Sequence, residues 1–140
     1  MADGSVYSYA PVGMTPTEMY RLCQEVNSDE FKSAHLALQA SFAHYALTVI
    51  HPFADGNGRV ARALASVFTY RCCSVPVMVL SESRSEYLAT LREAEAGEFR
   101  AFVSFVIERT LDAIQLAQVS IQAAEAPSVE EGVQYISVYT

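Results

Sequence analysis

The sequence predicts a single all-α domain with a small β element at its front, and three observations carry that reading. Apolar residues recur at helical spacing through most of the chain, as they do on the buried stripe of an amphipathic helix. Helix-start signals stand where such segments begin, in Thr15-Pro16-Thr17-Glu18 and in Ser83 with Glu86 three residues later. The chain has 140 residues, 51% of them hydrophobic and spread in short segments, which suits one core without disulfide or metal staples.

Residues 5–10, Ser-Val-Tyr-Ser-Tyr-Ala, alternate small or polar with aromatic side chains and read as a short strand before Pro11. A helix opening at Thr15 lines Met19, Leu22, Cys23 and Val26 on one face and ends at Asn27. Ser28 caps the next helix, in which Phe31, Ala34, Leu38, Phe42, Tyr45 and Val49 recur. Pro52 bars the right-handed helical region to His51, so that helix stops at about Ile50. A further helix runs from about Asn57 to Cys73 with Ala63, Leu64, Val67 and Phe68 as its apolar face, until Ser74-Val75-Pro76 breaks it. After the short apolar segment Val77–Leu80 comes a helix from about Arg84 to Ala96, which Gly97 ends as a left-handed cap. The longest apolar stripe is the last: Phe99, Phe102, Val103, Val106, Thr110, Ile114, Ala117 and Ile121. Residues 1–124 make up the domain, and 125–140 are a tail whose sequence is compatible with strand, peripheral helix or disorder.

Bulk properties exclude several function classes. A net charge of −7 argues against a general nucleic-acid surface. No apolar run approaches the ~18 residues of a membrane-spanning helix, and Met1–Ser5 lacks the basic and apolar regions of a secretion signal. Cys23, Cys72 and Cys73 lack zinc-site spacing and read as reduced thiols, so the expected setting is cytoplasmic. His35, His44 and His51 make no metal site by spacing, and the first two read as structural.

The chemistry concentrates in His51-Pro52-Phe53-Ala54-Asp55-Gly56-Asn57-Gly58-Arg59-Val60-Ala61-Arg62. One imidazole accepts a proton near neutral pH. One carboxylate is an oxygen ligand of the kind Mg²⁺ takes alongside substrate phosphates. Gly56 and Gly58 let the backbone bend and approach a phosphate, so that N–H groups form an anion nest at a helix N-terminus. Arg59 and Arg62 share a helix face and can reach one polyphosphate. The inventory suits the handling of a nucleoside triphosphate.

This stretch resembles the signature of the Fic family, H-P-F-x-[D/E]-G-N-G-R-x-x-R, with every fixed position filled, and the resemblance extends over roughly residues 5 to 120. It implies a helical bundle with a small N-terminal β-hairpin flap, here at about 5–10. The family has further sequence ahead of this point, so the flap is either halved or turned at Asp3-Gly4. It also implies transfer of AMP from Mg-ATP to a hydroxyl side chain of a target protein, with release of pyrophosphate. His51 is then the general base, Asp55 the Mg²⁺ ligand, Asn57 a donor to the α-phosphate, and Arg59 and Arg62 the grip on the β- and γ-phosphates. Phe53 reads as a buried anchor for the loop. Tyr87 matches the family position whose aromatic lies against the nucleotide base, although at helical spacing with Leu88 and Leu91 a tyrosine is more often core. Val6, Tyr7, Ser8 and Tyr9 could dock an extended target segment by strand addition.

Competing readings keep the fold but transfer another phosphate-linked group, or remove AMP, or make the domain a non-catalytic half of a toxin–antitoxin pair. The family's inhibitory pattern, [S/T]-x-x-x-E-[G/N], has only a near match in Ser128–Gly132, preceded by Pro127, which argues against Glu131 as an internal lock. Restraint is therefore expected from an inhibitory antitoxin chain or from further sequence. Oligomeric state, target and base specificity are left open by the sequence.

Overall fold

The computed structural model describes residues 11–125, and every regular element among them is helical. A 3₁₀ turn at Val12–Met14 leads into α1 (Thr15–Asn27), followed by α2 (Asp29–Ser33), α3 (Leu36–Ile50), α4 (Asn57–Cys73), α5 (Arg84–Glu95) and α6 (Phe99–Glu125). The expected β element is corrected: no strand and no hairpin flap occur among the described residues. Residues 5–10, on which the flap and its docking residues Val6–Tyr9 were placed, lie outside the described residues, as do 126–140 with Glu131. Three hydrogen bonds take backbone groups that a strand among the described residues would use. Ahead of α1, Met14 N–H reaches Pro11 O at 2.7 Å, closing a turn that runs straight into the helix. At 75–77, side chains of α4 take the backbone groups that a strand would use: Thr69 Oγ1 donates to Val75 O at 2.7 Å, and Val77 N–H donates to Ser66 Oγ at 3.0 Å.

Several helix ends follow local chemistry. Ser28 Oγ accepts from Phe31 N–H at 3.1 Å and caps α2. Gly97, at φ +101°, closes α5 with Glu98 N–H on Glu93 O at 2.9 Å. Other ends depart from expectation. The helix expected from Ser28 to Ile50 is broken, because Ala34 and His35 are extended. His35 Nδ1 accepts from Ala37 N–H at 3.2 Å to cap α3, while Gln39 Nε2 donates to Lys32 O and Ala34 O across the break. Thr15 does not cap α1, which starts one residue earlier behind Met14. Ser83 precedes α5 without capping it, since its hydroxyl accepts from Arg109 Nη1 at 2.6 Å instead.

α3 and α4 form the most extensive helix pair. Ala40 and Ala43 of α3 and Ala61 and Ala65 of α4 are fully buried, and side chains this small let two backbones approach closely. The buried face of α4 is thus Ala61, Ala65, Phe68 and Thr69, whereas Ala63 and Val67 of the expected face are exposed. α1 covers the C-terminal half of α3 through Leu22, packed with Leu47, Ile50 and Ala61. On the other side Phe102, Phe105 and Val106 of α6 meet Tyr87, Leu91 and Ala94 of α5 and Phe31 and Phe68. The stripe of α6 fades outward, so that Ile121 is 57% exposed. Among the described residues no helix is long and apolar enough to cross a membrane.

His44 lies at the centre of this core, 5.1 Å from the Phe102 ring and 5.7 Å edge-on to Tyr87, with no hydrogen-bond partner for either ring nitrogen. Burial, with Arg62 adding to it, lowers its pKa from 6.5 to about 3. The unfolded chain therefore binds a proton here that the folded one refuses, so stability is full above the unfolded pKa and falls as pH drops toward the folded one. The expected loss is ~1.4 kcal/mol per pH unit. Urea denaturation at pH 6.5 and pH 5 is expected to show this slope in the parent and a weaker one in His44→Phe; equal slopes would exclude His44 as the source.

Candidate active site

The loop 51–56 joins the C-terminus of α3 to the N-terminus of α4 and lines an open cleft of about 380 Å³. His51 ends α3 in the left-handed region, φ 51° and ψ 54°, its N–H bonded to Leu47 O at 3.0 Å. Pro52 denies it the right-handed alternative, and a positive φ in a non-glycine residue is uncommon enough to mark a constrained position. Its Nδ1 lies 3.4 Å from Thr48 O. When that nitrogen carries the proton, the lone pair resides on Nε2, the form a general base needs.

Asn57, 4% exposed, staples the loop. Its Oδ1 accepts from Phe53 N–H at 2.9 Å, and its Nδ2 donates to Phe53 O at 2.6 Å. This corrects the expectation for Phe53, which is not a buried anchor, since 46% of it is exposed, and the anchoring is done by its backbone through Asn57. Gly56 stands at the N-cap of α4, in the left-handed region at φ +83°. Gly58 is helical, so the bend belongs to Gly56 alone. A Cβ at Gly56 would also come within 3.3 Å of the Arg59 guanidinium.

The first bond of α4 runs from Val60 N–H to Gly56 O at 3.0 Å. The N–H groups of Asn57, Gly58 and Arg59 thus lie in the turn where a helix offers no backbone acceptor and where its dipole favours an anion. Asp55 is exposed at the rim; its Oδ1 accepts from Gly56 N–H at 2.6 Å and its Oδ2 pairs with Arg59 Nη2 at 3.0 Å. An exposed pair of this kind is weak, so either partner can turn to a ligand. Among the described residues no three His, Cys, Asp or Glu side chains gather as a metal cage. One carboxylate beside a cationic cleft nevertheless fits Mg²⁺, which usually keeps waters and substrate phosphates as its other ligands.

The structure brings His51, Asp55, Gly56, Asn57, Gly58, Arg59, Arg62 and Tyr87 to this one cleft. It adds Arg84 and Leu88, which the sequence reading missed. The available signal was spacing, because Arg84 stands three residues before Tyr87 and four before Leu88, on one helix face with each. Tyr87 is only 8% exposed, its ring packed among His44, Phe102 and Phe105. Burial raises the pKa of its phenol, with Arg62 drawing it back and Thr48 and Arg84 assisting.

Comparison with known proteins agrees with this geometry. The profile of the Fic/DOC family matches residues 2–69. The chain is 40% identical over 97 residues to a protein named Protein adenylyltransferase Fic in Drosophila mojavensis, an alignment covering 67% of this chain and 19% of that protein. The relative of the same name in Drosophila grimshawi is also 40% identical, with 67% and 20% covered. The chain thus spans about a fifth of the length of these curated relatives. Among solved structures, Fic-1 from C. elegans superposes with a TM-score of 0.73 at 30% identity, covering 83% of this chain and 35% of that one. A Fic domain containing signaling protein from Bacteroides thetaiotaomicron gives 0.72 at 30% identity, with 94% and 53% covered.

The staple role of Asn57 has a consequence in the absence of any nucleotide. Asn57→Ala is expected to lower stability by about 1–3 kcal/mol, since it removes two hydrogen bonds to the half-buried Phe53 backbone, each worth about 0.5–1.5 kcal/mol. Urea denaturation of the nucleotide-free protein measures it, and a loss below about 0.5 kcal/mol would reduce Asn57 to a ligand contact.

Proposed function

The chain belongs to the Fic/DOC family, and from that premise we propose that it forms the catalytic core of a protein adenylyltransferase, moving AMP from Mg-ATP to a hydroxyl side chain of a target protein. The observation that carries the reading is the convergence, in one cleft, of His51, the N-terminus of α4 and the guanidiniums of Arg59, Arg62 and Arg84. In a chain of net charge −7 such a cationic concavity is a local construction, and it suits a polyphosphate.

In this reading the phosphates of ATP lie over the first turn of α4. The amides of residues 57–59 take oxygens near the reacting phosphorus, and Arg59 and Arg62 fork onto the β- and γ-phosphates. A serine, threonine or tyrosine of the target brings its hydroxyl oxygen to the α-phosphorus. His51 takes the hydroxyl proton as the new O–P bond forms, and the bond from that phosphorus to the bridging oxygen breaks to release pyrophosphate. Asp55 would hold Mg²⁺, which when bound supplies positive charge against the leaving pyrophosphate. The cleft is open to solvent on the side where a protein substrate must arrive, and Leu88 and the edge of Tyr87 form the apolar wall available to the base.

The direct test is mass spectrometry of lysate proteins after incubation with the purified chain, ATP and Mg²⁺, with added AMP as the expected product. His51→Ala should lower transfer by ~10²–10⁴-fold, the usual worth of a general base, while ATP affinity stays near the parent's. Transfer at the parent rate would exclude the mechanism.

Asp55→Ala should separate the metal from the nucleotide. Calorimetric titration is expected to show ATP binding that no longer tightens on adding Mg²⁺, because the expected protein ligand is gone. Unchanged metal-linked affinity would make Asp55 a turn residue.

A further inference from the structure

Ser83 opens α5 yet gives its hydroxyl to another helix. A serine in that position ordinarily caps the helix by accepting an N–H of its first turn. Here Ser83 makes no cap bond, and its Oγ accepts from Arg109 Nη1 of α6 at 2.6 Å. The donor is itself held on two sides. Arg109 Cζ stands 5.3 Å from the centre of the Phe105 ring, within reach of a cation–π contact, and its Nη2 lies 3.2 Å from Asp112 Oδ2. Phe105 belongs to the core. The start of α5 is thus tied to the core through a charged donor, which bonds more strongly than a neutral one.

What this clamp holds is the turn that reaches the cleft. Residues 81–86 are exposed except for Ser83, so burial fixes that turn at one point only, and helix ends otherwise fray. The core packing of α5 begins at Tyr87. Ser83 also holds the turn through its backbone, since its carbonyl accepts from Tyr87 N–H at 3.0 Å. The residue that follows it is Arg84, which lines the cleft together with Arg59 and Arg62 of α4. Arg59 is paired with Asp55, whereas among the described residues no carboxylate pairs with Arg84.

We propose that Arg84 is a third binding residue for the phosphates of ATP, and that Arg109 is its positioning residue, acting through the Ser83 hydroxyl. The proposal rests on the nucleotide reading above. It puts part of the phosphate site on α5 and the support for that part on α6, outside the motif loop. A helix start fixed in advance leaves less for the ligand to order on binding.

The test is calorimetric binding of Mg-ATP and of adenosine to the parent, Arg84→Ala, Ser83→Ala, Arg109→Met and the double variant of Ser83→Ala with Arg84→Ala. Thermal unfolding of each sets a temperature at which it is folded. Arg84→Ala should weaken Mg-ATP binding by about tenfold, as expected for one hydrogen-bonded charge, and leave adenosine binding unchanged. Ser83→Ala and Arg109→Met should each weaken Mg-ATP binding by about fivefold. In the Arg84→Ala background Ser83→Ala should cost nothing further, because its effect passes through that guanidinium. A lower melting temperature with parent-like Mg-ATP affinity in Ser83→Ala would make the clamp merely structural and overturn the proposal. So would parent-like affinity in Arg84→Ala, or a full additional loss in the double variant. A parent chain that binds Mg-ATP no better than adenosine would instead remove the nucleotide reading and this inference with it.

Discussion

The close approach of α3 and α4 is the constraint on which the rest of the molecule depends. Four fully buried alanines, Ala40, Ala43, Ala61 and Ala65, lie on these two helices, and a larger side chain at any of them would push the backbones apart. Because the helices are joined by only the loop 51–56, their separation sets how far the imidazole at the end of one stands from the amides opening the other. The imidazole of His51 and the amides opening α4 thus become parts of one surface as a result of helix packing.

The loop itself is rigid by construction. Pro52 and the left-handed His51 fix its entry, Gly56 at φ +83° fixes its exit, and the two bonds between Asn57 and the Phe53 backbone close the turn between them. Little is left for a ligand to organise, and preorganisation of this kind lowers the entropic cost of binding. The exposed elements, Asp55 and Arg59, are the ones that must exchange partners when a charged ligand arrives, and their mutual pair is weak enough to permit it.

Core and site are also continuous at Tyr87 and His44. The same aromatic cluster that ties α5 and α6 to α3 includes Tyr87, which also lines the cleft. His44, kept neutral by burial beside Arg62, contributes shape there without adding a second positive charge behind the guanidinium. Loss of packing in the core would therefore register as loss of order in the cleft.

Sequence alone determined which residues form the loop, where α3 ends and where Gly97 stops α5, because each rests on chemistry local to a few neighbours. The Ser28 cap and the termination before Pro52 are of this type. What the sequence left wrong or unseen depends on partners far along the chain. The hydrophobic periodicity from Phe31 to Val49 continues across a real break, since the pattern registers burial and not the extended Ala34 and His35 that Gln39 clasps. Ser83 has the right neighbours for a capping box, yet its hydroxyl is claimed by Arg109, twenty-six residues on. The expected front strand rested on alternation alone, and among the described residues the backbone groups of Pro11, Val75 and Val77 are taken by a turn and by side chains of α4. Only the tertiary structure decided that Asn57 and not Phe53 anchors the loop, that Arg84 joins the cleft, and that Tyr87 belongs at once to the aromatic core and to the cleft wall. Each requires two helices to meet, and contact between helices is a property of packing that no local pattern encodes.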